Sequence, residues 1–170
     1  MENSAFPTRN RTPFEIAWSG VGQSQIVATP LHMCMVASAI ANDGLMLEPR
    51  LVGQVESPTG MIRYQATRKE YRQAVTPEVA QIIKGYMRSV VDRGTGTAAA
   101  IDGVPIAGKT GSAETTSNGQ RVTHAWFVGF IDDPANPYSV CVFVEEGGTG
   151  GKVAAPIARE VFAYVLQMHP

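Results

Sequence analysis

The chain predicts an α+β fold in which three antiparallel strands carry helices packed on their sheet and a small exposed hairpin stands apart. Three observations lead there. Thr29-Pro30 and Thr76-Pro77 each precede a segment whose apolar residues recur every three to four positions, which is helix-opening chemistry followed by helical periodicity. Ile106 to Glu114, His124 to Asp132 and Tyr138 to Glu146 are short runs separated by turn residues, the latter two apolar on both faces, as in strands covered on both sides. Between the two helical segments, Arg50 to Glu56 and Met61 to Gln65 flank Ser57-Pro58-Thr59-Gly60, the pattern of a hairpin.

Along the chain, residues 1 to 13 lack hydrophobic periodicity and carry two prolines, so an irregular N-terminal arm is expected over 1–15, with the folded portion over 16–170. The first helix starts at Thr29-Pro30, places Leu31, Cys34, Met35, Ser38 and Ala39 toward a core, and stops at Asn42-Asp43-Gly44. In the second, Val79, Ile82, Ile83, Tyr86, Met87 and Val90 form the expected apolar face, and Arg93-Gly94-Thr95-Gly96-Thr97 ends it. The last helix, Val153 to Met168, repeats Val153, Ile157, Val161 and Val165 at every fourth position beside Ala154 and Phe162, with Glu160 opposite. Asp132-Asp133-Pro134 reads as a turn.

Composition narrows the function. The 170 residues, 44 % hydrophobic with a net charge of -1, suffice for one core. Basic residues are scattered, and the densest group, Arg63 to Arg72, is interrupted by Glu70 and tyrosines, which argues for a solvated face and against nucleic acid. No run of about 18 apolar residues occurs, so no membrane segment is expected within this chain. Cys34 and Cys141 lie in segments that read as buried, where inert thiols outweigh a disulfide. Glu145-Glu146-Gly147-Gly148 lacks metal-ligand spacing, and no metal or cofactor is expected.

The chemistry concentrates in Gly108-Lys109-Thr110-Gly111-Ser112-Ala113-Glu114. Together with Gly103 this stretch matches G-x-x-x-x-G-K-[ST], the phosphate-cradling loop. Context argues against it: Thr97 to Asp102 lacks strand character, and Thr110 leads into Gly111, Thr115 and Thr116 instead of opening a helix. As a strand edge, the stretch offers small residues that let a ligand's backbone approach, a cation at Lys109, and hydroxyls at Thr110 and Ser112. Glu114 and His124 read as a strand-end carboxylate and a strand-start histidine rather than an acid–base pair.

These residues, with His124 to Phe130, resemble the third signature motif and following strand of penicillin-binding protein transpeptidase domains, in the class without a glycosyltransferase. Gly22-Gln23, Val27 to Leu31, Ala37 to Gly44 and Gly94-Thr95-Gly96 extend the resemblance over about Ile16 to Tyr164. It implies a partial β-lactamase/transpeptidase-like fold. Its ligands would be a stem peptide ending in D-Ala-D-Ala, or a β-lactam. Lys109 would supply charge and hydrogen bonding, Thr110, Gly111 and Ser112 would line the ligand, and the Ser112 N–H would form half of an oxyanion hole.

The departure lies in the nucleophile. That family acylates a serine in SxxK and uses an SxN motif, yet no serine here has lysine three positions later: Ser19, Ser24, Ser38, Ser57 and Ser89 are followed by Gly22, Val27, Ala41, Gly60 and Asp92. Thr116-Ser117-Asn118 follows the lysine motif and reads as turn chemistry. The resemblance therefore implies the C-terminal portion of a D,D-transpeptidase domain, inactive alone, from a membrane-anchored parent whose domain works outside the cytoplasmic membrane. A non-catalytic peptide-binding module of the same fold is the alternative, with a nucleotide binder third. Bare strand edges would favour self-association.

Overall fold

The computed structural model describes residues 3–168 except 7, 10, 24 and 118. Helix α1, Pro13–Gly20, begins inside the segment expected to be an irregular arm. Its start is a capping box: the Glu15 N–H donates to Thr12 Oγ1 at 3.2 Å and the Thr12 N–H donates to the Glu15 carboxylate at 2.8 Å. That backbone donor, then the Thr12 hydroxyl, holds the Glu15 carboxyl below its ordinary range. The arm before it is tied down where Ala5 bridges Val27.

Helix α2, Pro30–Ala41, and helix α3, Pro77–Arg93, open on Thr29 and Thr76 as the sequence predicts. Their buried stripes lie rotated from the expected ones. In α2 the buried residues are Ala37, Ala39 and Ile40, while Leu31 is exposed; in α3 they are Ala80, Met87 and Val91, while Val79, Ile82 and Tyr86 face solvent. In α2 small residues decide this, because alanine lets a helix backbone approach its neighbour closely where a branched side chain would hold it away.

Two small sheets occupy the region between these helices. β1, Leu45–Leu47, pairs antiparallel with β4, Glu70–Gln73, a pairing the sequence did not suggest. β2, Gln54–Glu56, and β3, Ile62–Gln65, form the expected exposed hairpin.

The main sheet runs in the order β5-β6-β7, all antiparallel: β5 is Ile106–Ser117, β6 Gln120–Ile131 and β7 Ser139–Val144. β5 and β6 are longer than expected, because Thr115 to Ser117 pair with Val122 to Gln120 instead of looping. Thr116 and Ser117 are thus strand residues, while Asn118 lies outside the described residues.

Alternation along β6 sends Ala125, Phe127 and Ile131 to one face, where helix α4, Ala154–Met168, packs with Val91 and Ala99. Phe130 goes to the other face, against Ala37 and Ile40 of α2 and Met87 of α3. In α4 the buried positions are Ala154, Ala155, Ala158 and Phe162, so Ile157 and Val161 of the expected stripe lie exposed. Lys84 joins the layers, its Nζ 3.2 Å from Asp132 Oδ1 and donating to the Ala41 carbonyl at 3.3 Å.

Phe127 is fully buried, and its ring lies over two glycines. A Cβ on Gly108 would meet Phe127 Cζ at 2.3 Å, and one on Gly129 would meet Phe127 Cε1 at 2.8 Å. The ring fills space that side chains at 108 and 129 would need.

Cys34 and Cys141 are half-buried free thiols. Burial, with a smaller repulsion from Cys34, pushes the Cys141 thiol up to about 12.

Gly108→Ala should therefore lower stability by about 1–3 kcal/mol and Phe127→Ala by about 3–5 kcal/mol in denaturant unfolding, through overpacking and cavity formation respectively. Ionising Cys141 is harder in the folded chain than in the unfolded one, so its neutral form stabilises the fold below about pH 9. That contribution should be lost as pH rises from about 9 toward 12, and the stability difference between wild type and Cys141→Ala across this range measures it.

Candidate functional site

Among the described strands β5 pairs with β6 alone, so its outer flank is an unpaired sheet edge, and Lys109 to Ser112 sit on it. Lys109 is exposed. It shares a face with Gly111, whose register partner is Trp126. Since Gly111 has no side chain, the Trp126 side chain is not covered from β5; a Cβ there would come within 3.1 Å of Trp126 Cβ. Trp126 packs in turn against Phe143, centroid to centroid 4.5 Å with the rings tilted by 48°, and Phe143 meets His124 at 5.4 Å. Lys109, whose Nζ donates to the Thr110 carbonyl, thus shares a face with an aromatic row.

Thr110 and Ser112 point to the opposite face, where two loops meet the strand. Thr110 is buried, and its hydroxyl shares a 2.6 Å hydrogen bond with the hydroxyl of Thr95. The Gly150 N–H donates to Ser112 Oγ at 3.3 Å. Gly150 lies on the backbone of β5 and β6, where an added Cβ would be 2.3 Å from the Trp126 carbonyl oxygen and 2.4 Å from that of Gly111. The Ser112 hydroxyl stays at the surface, whereas that of Thr110 is directed inward.

A third segment reaches the edge from α1. Gln23 Nε2 donates to the Ser112 carbonyl at 3.2 Å. The site therefore gathers Lys109, Gly111 and Ser112 from β5, with Thr95, Gly150 and Gln23 supporting them. Of the supporters, Thr95 and Gly150 lie in glycine-rich turns, the one signal in the sequence that marks close backbone approach. Gln23 carries no such signal.

Glu114 and His124 are not brought together. Glu114 pairs with Arg121, and His124 Nδ1 accepts the Glu146 N–H at 3.0 Å on the other face. Asp133 is a turn residue whose carboxylate accepts from the Asn136 side chain and the Ala135 N–H, and these donors hold it below the usual range. Among the described residues no three His, Cys, Asp or Glu side chains cluster as metal ligands, and no helix is long and apolar enough to cross a membrane. The strand character of β5 directly after Gly108 removes the geometry of a phosphate loop, which needs a helix there.

Comparison with known proteins agrees with the resemblance seen in the motifs. The family profile described as penicillin binding protein transpeptidase domain matches residues 1–163. The peptidoglycan D,D-transpeptidase PbpA of Mycolicibacterium smegmatis is 36 % identical over 158 residues, which cover 89 % of this chain and 32 % of that protein. Penicillin-binding protein A of Mycobacterium tuberculosis, solved as a ceftriaxone acyl-enzyme complex, superposes with a TM-score of 0.82 at 35 % identity, covering 89 % of this chain and 35 % of its own. Penicillin-binding protein 3 of the same organism, complexed with aztreonam, gives a TM-score of 0.81 at 26 % identity over 97 % of this chain and 40 % of its own. The chain thus spans roughly a third of the length of these relatives.

Gly150→Ala should drive the loop off the strand, because the clashing atoms are backbone and cannot turn aside. A loss of about 1–3 kcal/mol in chemical denaturation, with faster amide hydrogen exchange confined to β5 and residues 147–152, is the expected result.

Proposed function

Because the chain belongs to the penicillin-binding protein transpeptidase family, we propose that it is the acyl-donor-binding portion of a peptidoglycan D,D-transpeptidase domain. The observation that carries this is the free edge of β5, where a cation, a bare glycine and a hydroxyl follow one another beside an open aromatic row. An extended peptide can add to such an edge through main-chain hydrogen bonds, with Lys109 attracting its terminal carboxylate. Ser112 supplies one N–H toward a developing oxyanion and a hydroxyl toward the ligand carboxylate. Gly111 leaves room above Trp126. Thr110, bonded to Thr95, holds the strand in place beneath them.

Acylation needs a nucleophile and a base, and no serine here stands three residues before a lysine. On this reading SxxK and SxN come from a preceding portion of the same domain, and a β-lactam occupies the same edge. The parent is anchored at the cytoplasmic membrane with this domain on its outer side, where peptidoglycan is cross-linked. The outer edge of β7, unpaired among the described strands as β5's is, favours self-association of the chain by itself.

Three measurements test the reading. Fluorescent penicillin should leave no covalent band on this chain after denaturation; a surviving band would mean that a nucleophile is present after all. In a protein that joins it to an SxxK- and SxN-bearing portion, Lys109→Ala should slow acylation by about 10²–10³-fold, the usual cost of losing an electrostatic contact to the transition state. Sedimentation of the chain at about 0.1 mM should show dimers or larger species, since unpaired edges and apolar surface associate in this range; a clean monomer rejects that part.

A further inference from the structure

The structure assigns Gln23 a role at the β5 edge that the lysine motif does not contain: we propose that its side-chain amide is a gate residue which occupies the Ser112 carbonyl until a ligand's amide N–H replaces it. This inference rests on the reading of β5 as the ligand-binding edge.

The placement of Gln23 is set by the end of α1. The Gly22 N–H donates to the Ser19 carbonyl at 2.9 Å and the Gln23 N–H to the Trp18 carbonyl at 3.3 Å, the paired bonds that close a helix through a left-handed residue. Gly22 is that residue, at φ +79°, a conformation that costs glycine little. The backbone of Gln23 is thereby fixed, and its half-buried side chain leaves from a set position. That side chain crosses 89 positions of sequence to donate to Ser112 O at 3.2 Å.

The chemistry of the contact is that of a strand pair. A carboxamide N–H on a backbone carbonyl is the same donor–acceptor combination that an added peptide strand would make. A ligand with an amide N–H opposite Ser112 exchanges one hydrogen bond for another of similar strength. A ligand lacking that N–H displaces Gln23 and leaves the carbonyl without a partner. Gln23 therefore weakens every ligand somewhat and favours acyl donors that carry an amide at this point over isosteric esters or N-methyl amides.

The test is a titration of the 170-residue chain with an N-acyl-D-Ala-D-Ala peptide and with its analogue N-methylated at the amide opposite Ser112, read by nuclear magnetic resonance. Wild type, Gln23→Ala, Gln23→Met and Lys109→Ala are compared, the methionine keeping the side-chain length while removing the donor. Both Gln23 variants should bind the peptide roughly three- to tenfold more tightly, the range expected when a competing hydrogen bond is removed. In wild type the Gln23 side-chain amide signals should shift on binding as the Ser112 contact is released. Unchanged or weaker affinity in both Gln23 variants, with wild-type binding that still depends on Lys109, overturns the gate and leaves the β5 reading intact. If wild type and the Gln23 variants all fail to bind at millimolar peptide, the β5 reading itself fails and takes the gate with it.

Discussion

The packing of Phe127 against Gly108 and Gly129 is the constraint from which the rest of the site follows. A fully buried phenyl ring contributes about 1.5–3 kcal/mol through burial, but its larger effect here is geometric. The ring lies where side chains at 108 and 129 would be, so β5 and β6 approach each other over it with no space for a larger residue. It also reaches the turn at Gly96, where an added Cβ would be 3.6 Å from Phe127 Cε2. One side chain thus sets the position of β6, of the strand that carries Lys109, and of the loop that brings Thr95 to Thr110.

With β5 held from below, its two faces take different work. Thr110 and Ser112 face the loops, and their hydroxyls are linked to Thr95 and to the Gly150 N–H. Lys109 and Gly111 face the open side, with Trp126 and Phe143 beside them. Strand alternation makes this division unavoidable, since neighbouring side chains leave a strand on opposite faces. The main chain divides in the other direction: Thr110 and Ser112 turn their carbonyls to the outer flank, where Lys109 Nζ and Gln23 Nε2 donate to them, and edge recognition uses main-chain groups from that flank. The contacts of Gly150 and Gln23 belong to the same logic, since both reach backbone or hydroxyl groups of that strand.

Much of the fold was legible because its signals are local. Thr29-Pro30 and Thr76-Pro77 open helices since threonine caps free N–H groups and proline lacks one. The exposed hairpin around Ser57 to Gly60 and the turn at Asp133 were readable for the same reason. Helix α1 was equally local, yet Pro7, Pro13 and the lack of hydrophobic periodicity suggested an arm; Thr12-Pro13 with Glu15 is a complete capping box and marks the start. The length of β5 and β6 was not legible, because Thr115, Thr116 and Ser117 are polar residues that read as a loop, yet they pair with Val122, Arg121 and Gln120.

The sequence by itself determined which strand is the candidate site: a lysine, two hydroxyls and two glycines within five residues of one another fit few structures other than an approachable strand. It also determined the absence of an SxxK serine, since that is a matter of covalent order. Only the tertiary structure decided which helix faces are buried, because in α2 and α4 close contact with the sheet favours alanines over the larger residues beside them. It alone decided the partners of the motif as well. Thr95, Gly150 and Gln23 lie far from Ser112 in sequence, and a hydrogen bond over such a separation has no periodicity to betray it.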